Sequence, residues 1–237
     1  MDWQLLVQSN PVAIGSVEHL TPICIGIIVT VILVWYSNKT LKEHHKFFLF
    51  NMLGCLVALT VISFHFWKAW TEDYQIQTDL PLYLCSFLAL IIPIFTFSRR
   101  YWMFEILVFI VIAGTTQAVI TPDIPAGFPS FDYVRYWVAH LGLLLIIAYA
   151  IFVFKMRPRI QSIFKSIIGL NIYMVLIFIL NQFLDSNYSY LSHKPKTATA
   201  LDFFHDWPYY IFEIELILIP YFFLIYGAFQ FFKNKKH

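Results

Sequence analysis

Seven stretches of about twenty apolar residues, each closed by a short polar or proline-containing connector, leave this chain few ways to fold. At a rise of about 1.5 Å per residue such a stretch covers the roughly 30 Å of bilayer hydrocarbon, and in lipid only a helix or a closed barrel satisfies its own backbone N–H and C=O groups. Residues 18–36, 47–70, 80–97, 101–120, 133–154, 163–184 and 207–232 are therefore read as membrane-spanning helices of one all-α, polytopic domain covering 1–237. Composition agrees: 59% of the residues are hydrophobic and 13% charged, against about 25% charged in an ordinary soluble domain. A formal net charge of +2 argues against a nucleic-acid partner. The first 17 residues contain no Lys or Arg and so lack the basic start of a cleavable signal peptide.

An odd number of spans puts the two termini on opposite sides, and the basic residues say which. Twelve of the sixteen Lys and Arg fall on the side of SNKTLKEHHK, SRR, KMRPR and the KNKKH tail; only Lys68, Arg135, Lys194 and Lys196 fall on the other. Positive residues favour the cytoplasm, so the expected arrangement is a seven-helix transmembrane bundle, N-terminus outside and C-terminus cytoplasmic, in a multi-pass cell-membrane protein. Trp70, Trp137 and Trp207 suit the outer interface.

Polar residues inside the spans are where function is sought. Counting inward from the outer ends, Cys85, His140 and Glu213 on inward-running helices meet His65, Gln117 and Asn181 on outward-running ones roughly 6–10 Å below the outer surface. Glu18 and His19 cap the same layer. The inner half offers fewer such groups: Asn51, Glu105 and Asn171. Glu213 and Glu215, two residues apart, cannot share a helix face. The stripe Asn171, Met174, Phe178, Asn181 and Asp185 also reads as helix–helix contact. Scattered structural polars near helix ends, snorkelling or meeting water, are the plain alternative to a shared cavity opening outward.

Three cysteines, Cys24, Cys55 and Cys85, lie in apolar runs without CxxC spacing, so neither a metal site nor a disulfide framework is indicated and no cofactor is expected. Cys24 lies near the depth of Cys85, and a disulfide between them, open at this stage, would remove Cys85 as a nucleophile. If Cys85 and His140 meet across the third and fifth helices, the imidazole can take the thiol proton, and the thiolate can attack an ester and hold the acyl group as a thioester. Gln117 or Asn181 could donate to the oxyanion, and Glu213 could orient the imidazole. His140 follows Tyr133, Tyr136 and Trp137 at helical spacing, and a hydrogen-bonded core histidine is the competing reading there. At this depth the accessible partners are membrane phospholipids or lysophospholipids. Cysteine-dependent acyl transfer or lipid hydrolysis stands beside two alternatives: a transporter or permease with a polar intramembrane path, and a non-enzymatic accessory protein.

The segments LPLYLCSF, QAVITPD, GFPSF followed by VAHLGLLL, NYSYLSHKP and WPYYI resemble those of the YwaF-type bacterial integral membrane proteins, whose animal relative is a transmembrane acyltransferase of ether phospholipids. The resemblance runs from about His19 to the last span. It implies a bacterial plasma-membrane protein, and, from the animal relative, cysteine-dependent acyl transfer with Cys85 at the LPLxLC position and His140 as the helix-five histidine. His19 and Asp123 are further positions to which it extends.

Overall fold

The computed structural model describes residues 11–194 and 200–234. The first ten residues, and Lys196, Lys235 and Lys236 of the charge count, lie outside the described residues. Those described form helices and no strand: α1 Val17–Thr40, α2 Glu43–Thr71, α3 Leu84–Ser98, α4 Tyr101–Ile110, α5 Thr116–Ile120, α6 Phe131–Phe152, α7 Ile160–Leu184 and α8 Tyr209–Asn234. A π turn, Val111–Thr115, joins α4 to α5 in one continuous rod, Tyr101–Ile120. Local chemistry places the starts. Ser16 caps α1 by accepting from His19 N at 3.2 Å, and Ser130 caps α6 by accepting from Tyr133 N at 3.1 Å.

Six of these, α1, α2, the rod, α6, α7 and α8, are long and apolar enough to cross a membrane. The expected third span is shorter than the sequence suggests: α3 has 15 residues and begins at Leu84, not Leu80. The reason is tertiary. Leu80 N donates to the Tyr188 hydroxyl at 2.9 Å, and the Tyr173 hydroxyl donates to Leu82 O at 2.7 Å, so other elements hold residues 80–83 in a tight turn, with Leu82 N on Leu80 O at 2.7 Å, ahead of the helix. Pro81 reinforces this, because the residue before a proline is disfavoured in the α region.

The rod and α6 form the centre. Of the most apolar 18-residue window of each, 61% is buried, against 6% for α1 and 11% for α8. Outer helices that expose Ile27, Ile28, Leu216 and Leu224 suit lipid, which is as apolar as leucine, so packing and not patterning orders the bundle. Close approach depends on small residues. A Cβ on Gly54 would lie 2.3 Å from Thr96 Oγ1 on α3, and one on Gly142 would lie 2.4 Å from Val57 Cγ2 on α2. At the other end of the rod, buried Glu105 accepts from Arg159, Ser162 and Lys165, which fastens α4 to the start of α7.

Candidate functional site

Cys85 is the second residue of α3, half-buried, and all three cysteines are free thiols. Cys24 is exposed on the outer face of α1. The first intrahelical bond of α3 runs from Phe87 N to Tyr83 O at 2.9 Å, and Tyr83, the N-cap, supplies no side-chain bond. The N–H groups of the first turn, that of Cys85 among them, therefore point past the helix end without an intrahelical acceptor, at the positive end of the helix dipole.

Three elements pack around the start of α3. The π turn brings Thr115 into the neighbourhood of Cys85; Thr115 is fully buried and its Oγ1 makes no hydrogen bond. From α6 comes Tyr136, its hydroxyl donating to Ala118 O at 2.7 Å beside the backbone of Asp123. From α7 comes Tyr173, bonded to Leu82 O and, at 2.6 Å, to Ser189 Oγ. The π turn packs against both α3 and α6, and Gly114 lies under Leu84. π turns of this kind recur at functional sites because the extra residue re-aims the side chains around it.

His140 lies one turn below Tyr136, buried, with the two rings stacked at 4.0 Å. Its Nδ1 is 2.7 Å from Tyr136 O. A carbonyl can only accept, so Nδ1 carries the proton and Nε2 is left as the basic lone pair. No hydrogen bond joins His140 to Cys85; the two residues lie on α6 and α3, which pack together.

The other expected members of the layer are distributed differently. His19 has the opposite tautomer: Gly15 N donates to Nδ1 at 2.8 Å, so Nε2–H donates to Val119 O at 2.9 Å, and the ring is a strut between α1 and the end of the rod. It reaches the site only through Trp137, on which it stacks at 5.9 Å. His65 faces the Tyr74 hydroxyl at 3.3 Å, with Nε2 buried and unpartnered. Gln117 is exposed and bonds Thr121 one turn on, so it points away from Cys85. Glu213 is committed to His205 in the α7–α8 connector, and Glu215 to Asn171 Nδ2 at 2.6 Å.

Asn181 belongs to the site indirectly. Its Oδ1 accepts from Ser186 Oγ at 2.8 Å and Tyr188 N at 2.9 Å, and its Nδ2 donates to Tyr188 O at 3.0 Å. Tyr188 in turn donates to Ile76 O at 2.7 Å, accepts from Leu80 N, and packs edge-on against Tyr83. Burial pushes the Tyr188 phenol up to about 12, which keeps its proton in place for that donation. The connector is joined to α8 as well: Trp207 Nε1 donates to Leu191 O at 2.8 Å and the Tyr210 hydroxyl to Tyr190 O. In the loop before α3, burial draws the Asp79 carboxyl upward, but the Lys68 ammonium at 2.8 Å and the Gln75 amide at 2.9 Å outweigh it and hold Asp79 below the usual carboxylate range.

Thr115, Tyr136, Tyr173 and Tyr188 were not singled out as site residues from sequence. Thr115 sits in VIAGTT, where a threonine within an apolar run carries no distinguishing signal; Tyr188 lies in NYSY, a segment that did draw notice. The profile of the TMEM164 family matches residues 14–226. Among curated proteins and among solved structures there is no match.

Proposed function

Because the chain belongs to the TMEM164 family, a membrane protein family, we propose that it transfers acyl chains between membrane lipids through a thioester on Cys85, with His140 as general base. In this reading α3 completes a seventh crossing, the N-terminus is outside, and the Cys85 end of the bundle faces the outer leaflet of a bacterial plasma membrane. The excess of Lys and Arg on the opposite connectors supports that orientation.

The proton passes from Cys85 Sγ to His140 Nε2. The thiolate adds to the ester carbonyl of a phospholipid, the C–O bond breaks, and the departing lysophospholipid oxygen takes the proton from His140. An acceptor lysophospholipid hydroxyl then gives its proton to Nε2 and attacks the thioester; the C–S bond breaks and the proton returns to sulfur. Water in place of the acceptor gives hydrolysis. Each bond made is matched by one broken, with no co-reactant beyond the two lipids.

The observation that carries this reading is an unprotonated His140 Nε2 on α6, the helix that packs on α3, where Cys85 lies at an open N-terminus. The step needs thiol and imidazole to approach, since they share no bond here; catalytic hydrogen bonds commonly tighten only in the substrate complex. Against a transport path, two of the inner polar groups are already engaged, Glu105 with cations and Asn171 with Glu215.

A thiol-directed acyl-mimic probe on protein in lipid nanodiscs tests it. Expected are labelling at Cys85, loss in Cys85→Ala, a fall of tenfold or more in His140→Ala, and matching losses of acyl exchange between phospholipid and lysophospholipid. Acyl exchange that survives Cys85→Ala overturns the mechanism.

A further inference from the structure

Five threonines of this bundle share one use of the hydroxyl. Thr30, Thr60, Thr71, Thr96 and Thr121 each donate to a carbonyl of the preceding turn, at 2.7, 2.8, 2.8, 3.2 and 3.0 Å. That is the ordinary use of a helical hydroxyl in an apolar setting. Thr115 does not. It closes the π turn, fully buried, with Oγ1 unpartnered, where that turn packs on α3 and the adjacent Gly114 lies against Leu84, the residue before Cys85.

The other hydroxyls that face Cys85 from neighbouring elements cannot serve it in the same way. Tyr136 has given its proton to Ala118 O, and Tyr173 has an acceptor in Leu82 O. Thr115 has a proton and no acceptor. Cys85 itself lies in the first turn of α3, whose N–H groups have no intrahelical acceptor. A thiol buried among apolar groups is a poor anion unless donors meet it, and the Thr115 hydroxyl and these N–H groups are the donors that the rod and α3 leave open.

Resting on the acyl-transfer reading above, we propose that Thr115 is a catalytic residue, its hydroxyl and the open first-turn N–H groups of α3 together receiving the negative charge of the Cys85 thiolate. The π turn is then a functional device: it takes Thr115 off the carbonyl that a regular helix would offer and turns the hydroxyl toward sulfur.

The test is the pH–rate profile of Cys85 alkylation by iodoacetamide, in full-length protein in nanodiscs carrying Cys24→Ser and Cys55→Ser. Thr115→Val keeps shape and removes the donor; Thr115→Ser keeps the donor. The valine variant is expected to alkylate roughly tenfold more slowly below the midpoint and to titrate about one pH unit higher, with the high-pH plateau, which reports access, unchanged. The serine variant is expected to restore the wild-type midpoint and acyl exchange. Superimposable midpoints for valine and wild type overturn the assignment, as does a serine variant that behaves like valine. Alkylation reads the thiol without any lipid reaction, so an indifferent Thr115 alongside a strict need for Cys85 in acyl exchange removes this inference alone. Acyl exchange without Cys85 removes the reading beneath it.

Discussion

Replacing Asn181 by alanine removes three hydrogen bonds from a side chain that is 1% exposed: two accepted at Oδ1 from Ser186 and Tyr188, and one donated to Tyr188 O. At about 1 kcal/mol each the direct loss is about 3 kcal/mol, and it approaches 5 kcal/mol if the N–H and C=O of buried Tyr188 find no water. Ser186→Ala, which breaks only one of the three, sets an internal scale of about 1 kcal/mol. The consequence extends beyond stability, because Tyr188 holds Ile76 O and Leu80 N and packs on Tyr83, the residue at which α3 begins. Freeing it loosens the backbone immediately before Cys85. Equilibrium unfolding in mixed micelles measures the first effect, and amide exchange over 187–191 and 80–87 the second. Asn181→Ala is expected to lose exchange protection in both segments while α2 and α7 keep theirs. A stability change under 0.5 kcal/mol, or unchanged exchange at Leu80, refutes the chain of contacts from Asn181 to α3.

Two further perturbations follow from the packing and the outer loop. Gly54→Ala places a methyl group 2.3 Å from Thr96 Oγ1, so it is expected to cost about 1–3 kcal/mol, with part recovered in the Gly54→Ala, Thr96→Ala double variant; additive losses in a double-mutant cycle contradict the contact. Asp79 has its folded value below its unfolded one, so its contribution is fully present above the ordinary carboxylate value of about 4 and is lost as pH falls through the lower folded value. Asp79→Asn is therefore expected to lower the melting temperature at pH 7 and to match wild type at the acid end of that window. A gap that persists there sets aside the ion pair with Lys68.

The bundle was legible because its cause is local. Each apolar run must satisfy its own backbone inside hydrocarbon, and the runs that became α1, α2, the rod, α6, α7 and α8 did so within a few residues of their expected bounds. The start of α3 lies later than expected because distant phenols, Tyr173 and Tyr188, hold residues 80–83 in a turn. Cys85 and His140 are legible in sequence as a thiol and an imidazole expected at one depth; the stacking of Tyr136 on His140 is a matter of packing.

Depth along a helix can be counted from sequence, since every residue advances the axis by the same rise. Rotation about the axis cannot, because lipid-facing and core-facing positions are equally apolar and leave the pattern without a phase. Sequence alone therefore determined a helical membrane protein and the position of each polar group along its helix. Only the tertiary packing decided that Gln117 faces out, that His19, Asn181 and Glu213 are bound elsewhere, and that Thr115, unremarkable among apolar neighbours, is buried and unpartnered in a π turn packed on α3.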